Sequence, residues 1–189
     1  MTTSLPLLAH FRPLKDPRVS RRRLHSLENI LFIALCAVVA GANDFLDIAV
    51  FASKRLDWLS RFLDLPNGVP SHDTFERVFD RLDSKVFQRC FTSWMMSWHH
   101  RLTGKHLAID GKAVNDSACP SKGLRCLHLV NVWVTETRTC LGMVACDANS
   151  NEITAIPELL ELLDLKGALV SIDAEGCQKK IAEQITEQG

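Results

Sequence analysis

The hydrophobic pattern of this chain changes period once, near Gly104, and that change restricts the fold more than any other feature. Before Gly104, apolar residues recur at three- and four-residue steps, the spacing of a helix face. After it, short β-rich apolar runs are separated by turn residues. For 189 residues this predicts an α+β protein, with a helical domain over 1–104 and an α/β domain over 105–189.

In the front part, residues 1–23 read as an extended leader ending in a basic cluster, Arg18, Arg21, Arg22 and Arg23. Ser26 is placed to cap a helix that Gly41 stops. The run Ile30–Ala40 is apolar nearly all round, so its helix belongs at the centre of a core. That run is far short of the ~20 residues a membrane span requires. A second helix is expected over 44–65, broken by Pro66-Asn67-Gly68. A third opens near Asp73, which has capping-box spacing to Glu76. A fourth, over about 84–102, aligns Phe87, Phe91, Trp94, Met95 and Trp98 on one face, which reads as core.

In the back part, Leu107-Ala108-Ile109 leads into Asp110-Gly111. Two β-rich runs, 127–135 and 140–147, form a hairpin across a short polar turn. A helix from Ser150-Asn151-Glu152 through Leu163, a strand over 168–172 ending at Asp173, and a helix over 178–188 follow. The order is β, β, β, α, β, α.

The formal net charge is zero, but it is unevenly distributed. Residues 1–110 hold 15 basic and 11 acidic side chains, and residues 111–189 hold 7 and 11. The seven cysteines are odd in number and none has C-x-x-C spacing, which argues against a disulfide framework or zinc ribbon and for reduced thiols in the cytoplasm. His99, His100 and His106, with Cys119 and Cys126 as companions, lack zinc-ligand spacing. No P-loop, G-x-S-x-G or G-x-G-x-x-G string occurs, so NTPase, serine-hydrolase and dinucleotide readings lack support.

Asp110 and Asp173 each follow a short hydrophobic strand, and each is expected at its C-terminal end, where α/β sheets gather ligands. If the strands are neighbours, the carboxylates converge, and their repulsion is relieved by protonation or by shared cations. Oxygen-only donors suit Mg²⁺ or Mn²⁺. A strand-terminal Asp also caps turns, so the pattern by itself leaves a structural role open.

Several stretches, in this order, extend the reading: Asp16-Pro17-Arg18, Leu27 to Gly41, Pro70-Ser71-His72-Asp73-Thr74-Phe75, Ile109-Asp110-Gly111-Lys112, Ser150 to Pro157, and Ile172-Asp173-Ala174 with Gly176 and Gln178. Together they resemble the H-repeat-associated family of bacterial insertion-sequence transposases, from about residue 10 to the last residue. The resemblance implies a helical DNA-binding and assembly domain ahead of a partial RNase H-like domain that is cut after βββαβα. It implies an Asp, Asp, Glu triad holding two divalent cations for DNA strand cleavage and joining. The first two acids match Asp110 and Asp173, as catalytic and metal-holding residues. The third has no match, since Glu175, Glu183 and Glu187 fall on the wrong element.

Phosphate contacts are expected from Arg18, Arg21, Arg22, Arg23 and Lys112, with Arg77 and Arg81 able to face a groove. The implied partner is duplex DNA at insertion-sequence ends; a homo-oligomer stays open, and no membrane is involved. Three departures lower positive charge near DNA: Ala113-Val114-Asn115-Asp116 replaces a Thr-Leu-Arg-Gly type of stretch, Asn149 stands at a lysine position, and Glu175 replaces an apolar residue. The expectation is a truncated transposase that is catalytically incompetent alone. The alternatives are a non-catalytic DNA-binding or dimerising remnant and a pseudogene product.

Overall fold

The structure is a computed structural model that describes residues 6–99, 101–114, 117, 126–146, 152–174 and 176–189. Asn115, Asp116, Cys119, Asn149, Ser150, Asn151, Glu175 and His100, which figured in the sequence reading, lie outside the described residues. The side chain of Arg22 does too.

Among the described residues six α-helices precede the sheet: α1 (Pro6–His10), α2 (Leu27–Val39), α3 (Phe45–Lys54), α4 (Leu56–Leu59), α5 (His72–Phe79) and α6 (Ser84–Trp98). Strands β1 (His106–Val114), β2 (Leu127–Val134) and β3 (Thr139–Ala145) follow, then α7 (Glu152–Leu160), β4 (Leu169–Ile172) and α8 (Lys179–Gln188). The α+β class and the order β-β-β-α-β-α are as expected for a partial RNase H-like domain. The chain divides into two compact units, 1–87 and 88–189. That division falls inside α6 rather than near Gly104, because the second half of α6 belongs with the sheet: Thr92 lies against Gly142 of β3.

The helical unit is built around α2. Ser26 caps it by accepting a hydrogen bond from the Asn29 N–H, and Ile30, Ile33 and Ala37 are fully buried with Phe75 and Val78 of α5. The leader is not extended as expected. Leu7, Leu8, Phe11 and Leu14 recur at helical steps, so α1 forms, Leu7 and Leu8 pack on the core, and Phe11 and Leu14 are buried. The helix expected over 44–65 is two helices, interrupted at Arg55, which caps α3. Past the interruption Leu59 and Leu63 are buried. The N-cap of α5 is Ser71, not Asp73; its hydroxyl bonds the Thr74 hydroxyl at 3.1 Å. Asp73 sits in the first turn and pairs weakly with Arg77 at 3.8 Å.

The aromatic stripe of α6 is not core either. Cys90 and Thr92 are the buried residues of α6, and Trp98 is 67% exposed. Phe91, Trp94 and Trp98 instead stack edge to face in series, with centroids 5.9 and 5.8 Å apart. A stripe at helical spacing shows which residues share a face, not whether another element covers it.

The sheet has the order β3-β2-β1-β4. The pairs β1–β2 and β2–β3 are antiparallel, and β1–β4 is parallel. Alternation puts Leu107, Ile109, Val130, Val132 and Val144 on one face, where α7 contributes Ile156, Leu159 and Leu160 and α8 contributes Ile181. The hairpin turn carries Arg138 at φ 54°. The other face presents Ala108, Asp110 and Lys112 of β1 beside Asn131 and Trp133 of β2. Trp133 on this face is exposed.

Candidate active site

The two aspartates occupy neighbouring strands, but not in the way expected for both. Asp173 directly follows β4. Asp110 lies in the middle of β1, which continues to Val114 because its ladder with β2 runs to Val114↔Leu127. What ends at Asp110 is the parallel ladder: β1 and β4 pair from His106↔Leu169 to Ile109↔Ile172. Asp110 and Asp173 are therefore the next residues along two adjacent parallel strands, spaced about 4.8 Å apart. Both acids thus sit where β4 stops beside a longer β1.

Both side chains are exposed. Asp110 makes no hydrogen bond or ion pair among the described residues, whereas Asp173 is held by a local turn. Its Oδ1 accepts from the Gly176 N–H at 2.9 Å. Gly176 is itself buried, and a Cβ there would lie 2.9 Å from Ile156 Cδ1 and closer still to Ile172 Cγ2. Gly176 therefore lets the chain pass tightly under Asp173 and aim one of its oxygens, leaving Oδ2 without a partner among the described residues.

Pairing register reveals one residue that sequence reading missed. Asn131 sits opposite Asp110 on the same face, at the distance where cross-strand side chains interact. Lys112, two residues along β1, is exposed on this face as well. At the far end of the parallel ladder His106 Nε2 and Ser171 Oγ are 2.8 Å apart, which ties β1 to β4. No local motif marks Asn131; only the β1–β2 register identifies it.

The donors at the Asp110–Asp173 edge are oxygens, and among the described residues the exposed carboxylates make no ion pair. Both properties fit a hard divalent ion. Among the described residues no cluster of three or more His, Cys, Asp or Glu side chains forms. Glu183 and Glu187 are exposed on α8, with Glu183 3.8 Å from Lys179. No disulfide joins the described cysteines, and burial pushes the Cys36, Cys90 and Cys140 thiols up, so they stay protonated.

The basic leader is not uniformly available. Arg18 makes a bidentate pair with Asp16, at 3.0 and 2.8 Å, and its Nη2 also donates to the His25 carbonyl at 2.8 Å. Both side chains of the pair are only 10% exposed. Burial opposes ionisation of Asp16, but hydrogen bonds from the Arg18 side chain and backbone N–H, with the charges of Arg18 and Arg23, outweigh it and hold the carboxyl below its usual range. Arg23 donates to the Arg18 carbonyl at 2.7 and 2.9 Å. Arg21 is exposed and unpaired among the described residues. Burial, and then the charge of Arg18, pull the His25 imidazole below its ordinary value, so it is neutral at pH 7. Asp16-Pro17-Arg18 is thus an internal clamp on the leader. Among the described residues no helix is long and apolar enough to cross a membrane.

Comparison with known proteins agrees with this architecture. The Transposase DDE domain family matches residues 76–189, and the DDE_Tnp_1-associated family matches residues 8–95. An uncharacterized protein in the dhlA 3′ region of Xanthobacter autotrophicus is 48% identical over 183 residues, covering 95% of this chain and 61% of the relative. The putative transposase YncI of Escherichia coli O157:H7 is 43% identical over 182 residues, 96% of this chain and 47% of the relative. The H repeat-associated putative transposase YhhI of Escherichia coli K12 is 39% identical over 183 residues, 97% and 48% respectively. The chain spans about half to three fifths of the length of these relatives. No solved structure matches it.

Proposed function

The chain belongs to the insertion-sequence DDE transposase family, and from that membership we propose that its chemistry is DNA strand cleavage and joining in transposition, centred on Asp110 and Asp173. The observation that carries this reading is the pair of exposed acids at the end of one parallel ladder. Asp110 and Asp173 would hold Mg²⁺ or Mn²⁺, which supplies Lewis-acid activation of an attacking oxygen and charge stabilisation at a leaving one. The Gly176 N–H fixes the Asp173 carboxylate, and Asn131 stands opposite Asp110 in the ladder. Lys112, on the same open face, contacts a phosphate of the DNA strand beside the acids. Arg21, with Arg22 and Arg23, adds sequence-independent attraction to the duplex, while Arg18 acts as the anchor of the leader. The protein works in the cytoplasm, where its DNA is.

The 189-residue polypeptide brings two acids to this edge, and we propose that it does not cleave DNA by itself. It is tested by incubation with supercoiled plasmid and insertion-end DNA in Mg²⁺ or Mn²⁺. The expected result is no nicking above that of Asp110→Ala. Strong cleavage that disappears in Asp110→Ala would overturn the proposed incompetence and keep the site. Failure of Mn²⁺ to broaden the NMR signals of Asp110 and Asp173 would overturn the metal role.

A second reading is a non-catalytic DNA-binding or dimerising protein. It is favoured by the helical unit, which has its own buried core around α2. Gel shifts and sedimentation distinguish it: binding or dimerisation without cleavage supports it, and neither one excludes it.

A further inference from the structure

The helical unit contains a cleft of about 670 Å³ between the leader and α5. Its lining includes Arg18, His25, Arg77 and Arg81 and, among the described residues, no acidic side chain. Asp16 already matches the charge of Arg18. Arg77 is only loosely engaged by Asp73, 3.8 Å away on an exposed surface. Arg81, two residues past α5, is exposed, and its side chain makes no hydrogen bond or ion pair among the described residues. Two arginine charges are thus left available at one cleft.

The rest of the lining has a different chemistry. Val19 and Leu24 are 57% and 64% exposed, an apolar surface facing water. Asn67 holds this part in place by donating to the Leu24 carbonyl at 2.9 Å. The Ser71 and Thr74 hydroxyls bond each other, so one O–H of the pair remains to donate outward. A ligand that is anionic on one side and apolar on the other matches this lining. A phosphodiester with its attached sugar is such a ligand, and arginine is the side chain that best grips phosphate oxygens.

We infer that this cleft seats one nucleotide of a DNA strand, its phosphodiester against Arg77 and Arg81 and its sugar edge against Val19 and Leu24. The inference rests on the reading that the chain acts on DNA. It moves the main contact of the helical unit from the leader cluster to α5. The contact fixes position and reads no base.

The test is fluorescence anisotropy of the full 189-residue chain with two labelled duplexes of unrelated sequence, across a salt series. The wild type is compared with Arg77→Gln/Arg81→Gln and with Lys85→Gln/Arg89→Gln, a charge-matched pair on exposed positions of α6. The cleft pair is expected to weaken binding to both duplexes on the order of tenfold and to lower the salt slope by about 2. The α6 pair should change affinity less than about threefold. Equal losses in the two variants overturn the cleft in favour of bulk charge. Unchanged binding in the cleft variant overturns the cleft alone. No binding by the wild type at low salt overturns the DNA reading and the cleft with it. A deoxynucleoside monophosphate provides a further arm, followed by the Asn67 side-chain amide signals. Competition with duplex supports the inference; saturation without competition marks a free-nucleotide site and overturns it.

Discussion

The two units hold their charged motifs in opposite ways. In the helical unit, Asp16 and Arg18 are largely buried and matched to each other, and the spare Arg18 N–H reaches the His25 carbonyl. In the sheet unit, Asp110 and Asp173 are exposed and make no ion pair among the described residues, and one backbone N–H steadies Asp173. In sequence both motifs are short strings with an acid near a base, Asp-Pro-Arg and Asp-Gly-Lys. Burial with a satisfied partner marks charge used for folding. Exposure at a ladder end without a partner marks charge kept for a ligand.

The largest test of this contrast is Arg18→Ala. It leaves Asp16 without its bidentate partner in a mostly buried position and should remove about 3 kcal/mol in urea unfolding. Arg21→Ala should stay within about 0.5 kcal/mol of wild type. If both variants unfold alike, Arg18 is not a structural clamp.

Next in size is Gly176→Ala. The added methyl meets Ile156 and Ile172, an overpacking that should cost about 1–3 kcal/mol in a thermal or urea melt. It should also loosen the Gly176–Asp173 hydrogen bond and weaken Mn²⁺ binding. A destabilised variant with unaltered Mn²⁺ affinity would separate the turn from the site.

Acidification should reach the helical unit in two stages. His25 and Asp16 both have folded-state pKa values below their ordinary 6.5 and 3.8. Each contributes stability that is present above its ordinary value and lost as pH falls through the folded one. Unfolding free energy should therefore drop first below about 6.5 and again below about 3.8. Asp16→Asn should remove the second drop and spare the first; persistence of the second drop would assign it to other carboxylates.

The smallest stability effect is expected at the acids themselves. Asp110→Asn removes a repelling charge from an exposed pair, so stability should stay within about 0.5 kcal/mol or rise slightly. The same variant should abolish any rise in Tm produced by Mn²⁺, because an ion that binds only the folded state stabilises it by mass action. A Mn²⁺-dependent Tm rise that survives in Asp110→Asn would locate the ion elsewhere.

Much of the fold was legible. Ser26 and Gly41 bracket α2 because capping chemistry is local. The β2–β3 hairpin follows from two β-rich runs on either side of a short turn. The misreadings share a physical origin. Arg55 ends α3 inside an unbroken helical pattern, and Trp98 points to water from what looked like a core stripe. Periodicity specifies a face but not its cover. The candidate site was legible as two residue types after two apolar runs. Asn131 and the true end of β1 were not, since each depends on which strand lies next to which.

The sequence by itself determined the α+β class, the element order and the identity of the two acids, because propensity, capping and strand pattern act over a few neighbouring residues. Only the tertiary structure decided that Arg18 is spent on Asp16 while Arg77 and Arg81 stay available at a cleft. It also decided that the two acids sit where a short parallel strand stops beside a longer one. The cleft and the strand pairing join residues far apart in the chain, whereas Asp16 and Arg18 are two residues apart and it is their burial that the fold decides; partnering rather than residue type sets whether a charge is neutralised or left for a ligand.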